Sequence, residues 1–183
     1  MKALDRELQR QRIRRALPFI HPGSSVVDVG CHEGAFLDAA RDRVSSGIGV
    51  DVHEPDRWIG DPFDLHVGRL PDLVDGKRTF DTIVALAVVE HLSRDELQAW
   101  SKAVPALLAP GGRLVVTTPA PVVDKLLDLL ISLRLLHGMD TDAHHGFNPR
   151  EVPRVFQRGP MELEVSSRFQ LGLNHLFVFR RYG

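Results

Sequence analysis

The chain has 183 residues, of which 43% are hydrophobic and 26% are charged, and its formal net charge at pH 7 is −1. This length and composition predict one globular domain over residues 1–183, and the near-neutral charge argues against a nucleic-acid partner. Cys31 is the only cysteine, which excludes an internal disulfide bond and favours the reducing cytoplasm. The charged residues 1–15 lack the apolar region of a signal peptide.

The N-terminal residues 2–17 are predicted to form an amphipathic helix, because their leucines recur at helical spacing. Arg6, Arg10 and Arg14 are spaced four residues apart along this helix. We expect them to form a solvated face, since the chain as a whole is not basic.

Residues 26–37 contain a short strand, a glycine turn and the start of a helix. The apolar run 26–29, interrupted by Asp28, is typical of a buried strand in a parallel sheet. Gly30–Gly34 then turns the chain, and a helical pattern extends from Ala35 through Val44. This is the first half of a nucleotide-binding unit, in which glycines allow a sharp turn and a close approach of the ligand.

The turn differs from the dinucleotide fingerprint G-x-G-x-x-G. His32 replaces the middle glycine, and Glu33 lies where phosphate groups would bind. A carboxylate at a helix start is favoured by the helix dipole, so Glu33 takes the place of an anion. We therefore expect a neutral or cationic ligand, and an adenosyl group that carries a sulfonium and an amino acid fits this turn better than NAD does.

The sequence Asp28-Val-Gly-Cys-His-Glu-Gly34 resembles motif I, D-x-G-x-G-x-G, of the class I S-adenosylmethionine-dependent methyltransferases, and departs from it at His32. Phe80-Asp81 before an apolar strand, Glu90-His91-Leu92 after it, and the L-x-P-G-G sequence at 108–112 resemble further motifs of the small-molecule subgroup (type 11/12-like). The resemblance covers nearly the whole chain. It implies an α/β fold: a Rossmann-like, doubly wound, mostly parallel seven-stranded sheet with a C-terminal antiparallel strand pair.

The remaining elements follow the order that this fold requires. We expect strands at 47–52, 64–68, 79–86, 113–118, 161–169 and 175–180, a helix over 95–108, and a short helix over 150–157. Ser93 and Glu96 have the spacing of a capping box before the first of these helices, and Asn148 is expected to cap the second. Gly111 and Gly112 are both expected to supply positive φ values after the helix end.

The resemblance and the chemistry of the residues together predict a cofactor site. Asp51 ends the second strand, where a carboxylate can accept hydrogen bonds from both ribose hydroxyl groups. Gly68-Arg69-Leu70 stands where the family often has an acidic residue, so we expect adenine to contact backbone groups and Leu70. The predicted cofactor-binding residues are Asp28, Gly30, Cys31, His32, Gly34, Asp51, Val52, Gly68, Leu70 and Leu86.

Glu90, His91 and His145 are the candidate catalytic residues. The family places the loop with Glu90 and His91, and the segment with His145, at the rim of the acceptor pocket. Histidine suits a general base for a hydroxyl acceptor. A metal-assisted route is the alternative, because the small-RNA 2′-O-methyltransferases present E-x-x-E-H on the same loop. Ala87 stands at the first acidic position of that motif, so we predict no metal site.

Residues 122–139 are apolar almost all round a predicted helix, but charged residues interrupt them, so no transmembrane span is expected. Within the 119–150 segment, a lid, a homodimer contact and a surface for a lipid-linked substrate remain open. The acceptor pocket is expected to come from residues 1–20 and 119–150. The favoured function is O-methylation of a small molecule in the cytoplasm; the alternatives are an RNA 2′-O-methyltransferase, a non-catalytic S-adenosylmethionine-binding module and, last, a nicotinamide oxidoreductase.

Overall fold

The computed structural model describes residues 2–53, 57–58, 60–73, 75, 77–120 and 148–183. The 122–139 segment and His145 lie outside these residues. The homodimer contact, the lid and any role of His145 therefore stay predictions.

The described strands form one sheet in the order β3-β4-β2-β1-β5-β6-β8-β7. The central pairs are parallel, whereas β6–β8 and β7–β8 are antiparallel, as the sequence predicted. The two-residue β3 is an additional strand that pairs antiparallel with β4 at the sheet edge. The strands are β1 Ser24–Val29, β2 Val44–Asp51, β3 Arg57–Trp58, β4 Phe63–Val67, β5 Phe80–Leu86, β6 Leu108–Pro119, β7 Met161–Phe169 and β8 Asn174–Arg181.

Four α-helices are described: α1 Lys2–Ala16, α2 Ala35–Ala40, α3 Arg94–Leu107 and α4 Val152–Phe156. The expectation that α2 would extend to Val44 was wrong. The helix ends at Ala40, and Val44 begins β2, where it pairs with Ser24 of β1. An apolar residue four positions after another suits either a helix or the first position of a buried strand, so spacing alone could not separate the two.

The start of α3 and the turn after it show two different uses of local sequence. The capping box is present: the Glu96 N–H donates to Ser93 Oγ, and the Ser93 N–H donates to Glu96 Oε2 at 2.9 Å. Gly111 has a φ of 81°, as expected. Gly112 does not have a positive φ; a Cβ there would lie 2.8 Å from the Ala109 carbonyl oxygen, so close approach explains this glycine.

The core lies on both faces of the sheet. On one face, Trp100 and Val104 of α3 pack with residues of α4 and the sheet. On the other, Ile13 of α1 and Leu37 of α2 pack against the sheet. A fully buried side chain of this size contributes about 1.5–3 kcal/mol. The helices cover the two faces of the sheet and leave the carboxyl edge of the parallel strands for ligands.

None of the described helices combines the length and the apolar character needed to cross a membrane.

Candidate active site

The loop after β1 keeps the backbone form of a ligand-binding glycine turn. Gly30 has a φ of 70°, and its N–H donates to the Val50 carbonyl at 2.8 Å. A Cβ at Gly30 would lie 2.5 Å from Val88 Cγ2. His32 also lies in the left-handed region, with a φ of 47°, so it adopts the kind of conformation that favours glycine at the position where motif I has one.

Asp51 joins the end of β2 to this loop. One carboxylate oxygen accepts from the His32 N–H at 3.1 Å, and the other accepts from the His53 N–H at 2.9 Å. Each carboxylate oxygen can accept more than one hydrogen bond. The backbone therefore orients Asp51 while leaving acceptor capacity for a ligand.

Two cavities flank the Gly30–His32 loop, and both include Gly30, His32 and Ala87. The first, called here the Asp51 cavity, has a volume of about 680 Å³ and extends towards Gly68, Leu70 and Trp100. The second, called the Asp28 cavity, has a volume of about 670 Å³ and extends under α1. Because the two cavities share these three residues, they adjoin at the glycine loop.

The structure brings nine of the ten predicted cofactor-binding residues to these cavities. The Asp51 cavity is lined by Gly30, His32, Asp51, Val52, Gly68 and Leu70, and the Asp28 cavity is lined by Asp28, Gly30, Cys31, His32 and Leu86. Gly34 lines neither of them; it precedes α2 with a φ of 82° and serves the turn.

Of the two candidate catalytic residues that the structure describes, only His91 lines a cavity. His91 lies in a one-turn 3-10 helix, Val89–His91, and lines the Asp51 cavity. Glu90 is 3% exposed and is not among the residues lining either cavity. Glu90 instead interacts electrostatically with Arg12.

Asp28 is a buried carboxyl group beside the glycine loop, with 3% of its surface exposed. Burial raises the pKa of Asp28 to about 8, and the negative charge of Asp51 adds to the shift. No described residue donates a hydrogen bond to its side chain. A carboxyl group with this pKa is largely protonated at neutral pH, and a cation that binds beside it favours its ionised form.

Arg12 of α1 lines the Asp28 cavity, although the motifs did not mark it. Its Nε donates to Asn174 Oδ1 at 3.3 Å. Burial lowers the pKa of Arg12, while the carboxylates of Glu90 and Asp5 act in the opposite direction. The signal in the sequence was its spacing, since Arg12 follows Leu8 by four residues and so lies on the inward side of α1.

An acidic group also lines the side of the Asp51 cavity where the sequence lacked one. Asp72, in the 3-10 helix Leu70–Leu73, lines this cavity and accepts from the Arg69 N–H at 3.0 Å. The Arg69 guanidinium pairs with Glu96 of α3. The pKa of Glu96 is lowered mainly by a hydrogen bond from the Ser93 backbone and then by one from the Ser93 side chain.

A metal site is not formed by the residues that the structure describes, because no three His, Cys, Asp or Glu side chains among them come close enough to share an ion. His145 lies outside the described residues.

Comparisons with known proteins agree with this architecture. A family model described as a methyltransferase domain matches residues 2–163. The nocamycin O-methyltransferase of Saccharothrix syringae is 32% identical over 130 residues, covering 63% of this chain and 45% of the relative. The ubiquinone biosynthesis O-methyltransferase of Idiomarina loihiensis is 28% identical over 153 residues, covering 76% of this chain and 62% of the relative.

The chain thus matches about half to three fifths of the length of these two curated relatives. The N-methyltransferase NodS of Bradyrhizobium japonicum, solved with S-adenosylhomocysteine, superposes with a TM-score of 0.71 at 18% identity, covering 95% of this chain and 87% of NodS. A likeness at this identity shows the fold. Because the family model matches most of the chain, the chain belongs to the methyltransferase domain family, whose cofactor is S-adenosylmethionine.

Proposed function

We propose that this chain transfers the methyl group of S-adenosylmethionine to a hydroxyl group of a small molecule. The observation that carries the proposal is the Asp51 carboxylate, which the glycine-loop backbone orients at the wall of the Asp51 cavity. An acceptor-only group in that position suits two ribose hydroxyls and has no corresponding use for phosphate.

The side chains present fit this cofactor. Asp51 accepts from the ribose, and Leu70 with the backbone at Gly68 lines the adenine side; a Cβ at Gly68 would meet no atom within 4 Å, so a ring can lie against this backbone. Asp72 supplies an acceptor for the adenine amino group. On the other side of the loop, Asp28 meets the ammonium group of the cofactor and Arg12 meets its carboxylate.

When bound, the cofactor supplies a sulfonium-activated methyl group, so the protein mainly aligns the acceptor and excludes water. His91, at the wall of the Asp51 cavity, removes the proton of the acceptor hydroxyl. Glu90 acts as a positioning residue: its buried carboxylate interacts electrostatically with Arg12 and favours the guanidinium at the Asp28 cavity. His145 is kept as a second candidate base.

The choice of oxygen and of a small acceptor is supported by the two curated relatives, both of which are O-methyltransferases. The name of one relative refers to nocamycin, and the name of the other refers to ubiquinone biosynthesis. We propose that residues 1–183 form one domain in which α1 closes the Asp28 cavity through Arg6, Gln9 and Arg12.

The test is a methyl-transfer assay with a panel of matched phenols, alcohols and amines. Methylated products are identified by mass spectrometry, with S-adenosylmethionine as the sole donor. The proposal expects methylated oxygen in at least one phenol or alcohol and loss of product in Asp51→Ala. Methylation of the amines alone would reject the oxygen assignment, and binding of the cofactor without any transfer across the panel would favour a non-catalytic binding module.

A further inference from the structure

We propose that a third cavity, a cleft beside α4, binds an oxyanion of the methyl acceptor. This oxyanion is a phosphate or a carboxylate group. This inference rests on the proposed function, because it names the class of acceptor. The cleft is separate from the two cofactor cavities and has a volume of about 400 Å³. It is called here the Arg168 cleft, and its walls include Arg150, Ser166, Ser167, Arg168, His175 and Phe177.

Strand register brings the polar groups of the Arg168 cleft together. Arg168 of β7 pairs with His175 of β8, and Ser166 pairs with Phe177 two positions further along. Because directly paired residues point to the same face, Arg168, His175 and Ser166 share one face of the sheet. Arg150 approaches from the 3-10 helix Pro149–Glu151, just before α4. Cationic and hydroxyl groups therefore converge from two elements on one small cavity.

In the described part of the chain, the two arginines of this cleft form no ion pair. Among the described residues, no carboxylate lies within 4.0 Å of the guanidinium of Arg150 or Arg168. Burial lowers the pKa of His175, and the positive charges of Arg168 and Arg150 lower it further. The site is thus electropositive even with a neutral imidazole.

Arg113, at the other end of the β6–β8 pairing from His175, shows the contrast. Arg113 of β6 donates to both oxygens of Glu164, at 2.7 and 2.9 Å. Glu164 lies on β7, the strand that carries Arg168. Two guanidinium groups that lack such a partner among the described residues favour an anion between them, and each can bind a phosphate or carboxylate through two parallel hydrogen bonds. The Ser166 hydroxyl and the His175 ring offer further donors.

The position of the Arg168 cleft links it to methyl transfer. His175 pairs with Thr118 of β6, whose neighbour Thr117 accepts from the Ala87 N–H at 2.9 Å. Adjacent strands lie about 4.8 Å apart. His175 is two strand spacings from Ala87, or about 10 Å, and Arg168 is three spacings from it, or about 15 Å. Ala87 lines both cofactor cavities. An acceptor that spans the Arg168 cleft and the cofactor cavities is therefore an extended molecule, on the order of 10–15 Å long.

Anion binding is tested first without any methyl acceptor. The ring resonances of His175, identified by their loss in His175→Gln, are followed by NMR while inorganic phosphate or acetate is added at constant ionic strength. We expect a saturable shift with at least one probe, and the stronger probe tells phosphate from carboxylate. Arg168→Gln and Arg150→Gln should weaken that binding by about tenfold or more.

The matched control is Arg154→Gln, because Arg154 is an exposed arginine of α4 that does not line the cleft. It should leave anion binding unchanged. A linear response to both probes, or an equal loss in Arg154→Gln and Arg168→Gln, would overturn the anion site. Calorimetry with S-adenosylhomocysteine is run on the same samples, so failure of the cofactor site is seen separately.

The link to the acceptor is tested with turnover. Acceptors are compared as pairs that differ only in an anionic group, a free acid against its methyl ester or a phosphate ester against its alcohol. We expect the anionic member to have the higher kcat/KM, and Arg168→Gln to raise its KM by about tenfold while kcat stays within about twofold. Equal kcat/KM for both members of every pair would overturn the assignment of the cleft to the acceptor.

Discussion

The backbone N–H of His32 donates a hydrogen bond to the Asp51 carboxylate at 3.1 Å, across the sheet edge from the β1 loop to the end of β2. The bond fixes the distance between the turn that replaces a glycine by histidine and the acidic residue proposed to hold the ribose. Both residues line the Asp51 cavity. A change at either one should therefore be read out in cofactor binding.

The first prediction concerns Asp51→Ala. The variant should weaken S-adenosylhomocysteine binding by about 1.5–3 kcal/mol, or roughly 10- to 150-fold, because it removes hydrogen bonds to a charged acceptor. Isothermal titration calorimetry measures the dissociation constant. Asp64→Ala is the control, since Asp64 is an exposed aspartate of β4 that lines neither cavity. An unchanged constant in a folded Asp51→Ala would show that the ribose binds elsewhere.

The second prediction concerns His32→Gly. His32 holds a φ of 47°, which costs a non-glycine residue about 1–2 kcal/mol. Glycine removes that strain but loses more chain entropy on folding, so we expect the free energy of unfolding to rise by about 0.5–1 kcal/mol. Urea denaturation measures it, with His32→Ala as the strained control. A glycine variant less stable than the alanine variant would contradict the argument.

Local sequence was sufficient to predict most of the sheet. The apolar runs, the glycine turns and the Ser93–Glu96 capping box each have a cause within a few residues, and all three are present. The two-residue strand Arg57–Trp58 was not predictable, because a pair of residues has no periodicity. Val44 was misassigned for the reason that its spacing suits a helix and a strand equally well.

The site divides in the same way. Asp51 and the Gly30–Gly34 turn follow from chain order, since strand ends of a parallel sheet meet at one edge. Helical spacing puts Arg12 on the inward side of α1, but its contact with Asn174, 162 positions away, could not be predicted from local sequence. Asp72 was missed since it follows the third strand at a longer distance than the family motif suggests.

The third prediction is a pH dependence caused by Asp28. Its folded-state pKa of about 8 lies above the ordinary value of 3.8. Between these two values the folded chain retains a proton that the unfolded chain releases. The contribution of Asp28 to stability is therefore greatest below about pH 4 and is lost progressively as the pH rises towards about 8.

Asp28→Asn should remove this dependence. The difference between the unfolding free energies of the variant and the wild type should change by up to about 1.4 kcal/mol per pH unit between about pH 5 and about pH 7. Urea denaturation across that range measures it, and the slope remains informative even if the asparagine variant is less stable throughout. Parallel pH profiles for the two proteins would show that Asp28 ionises normally.

The fourth prediction separates the catalytic routes. If His91 is the general base, His91→Asn should lower kcat by about 10²–10⁴-fold, and a chelator should have no effect on the wild type. His145→Asn is assayed in parallel, because its position is predicted from sequence alone. Loss of activity with a chelator and its return with added divalent metal would favour the metal-assisted route, and full activity in both variants would reject the histidine assignment.

The most direct test of the account is parallel calorimetry of the wild-type chain with S-adenosylhomocysteine and NAD. The Glu33 carboxylate at the start of α2 disfavours a pyrophosphate, whereas Asp28, Asp51 and Arg12 suit the groups of an adenosyl amino acid. We expect saturable binding of S-adenosylhomocysteine and an affinity for NAD that is at least about tenfold weaker. Tighter binding of NAD would contradict it.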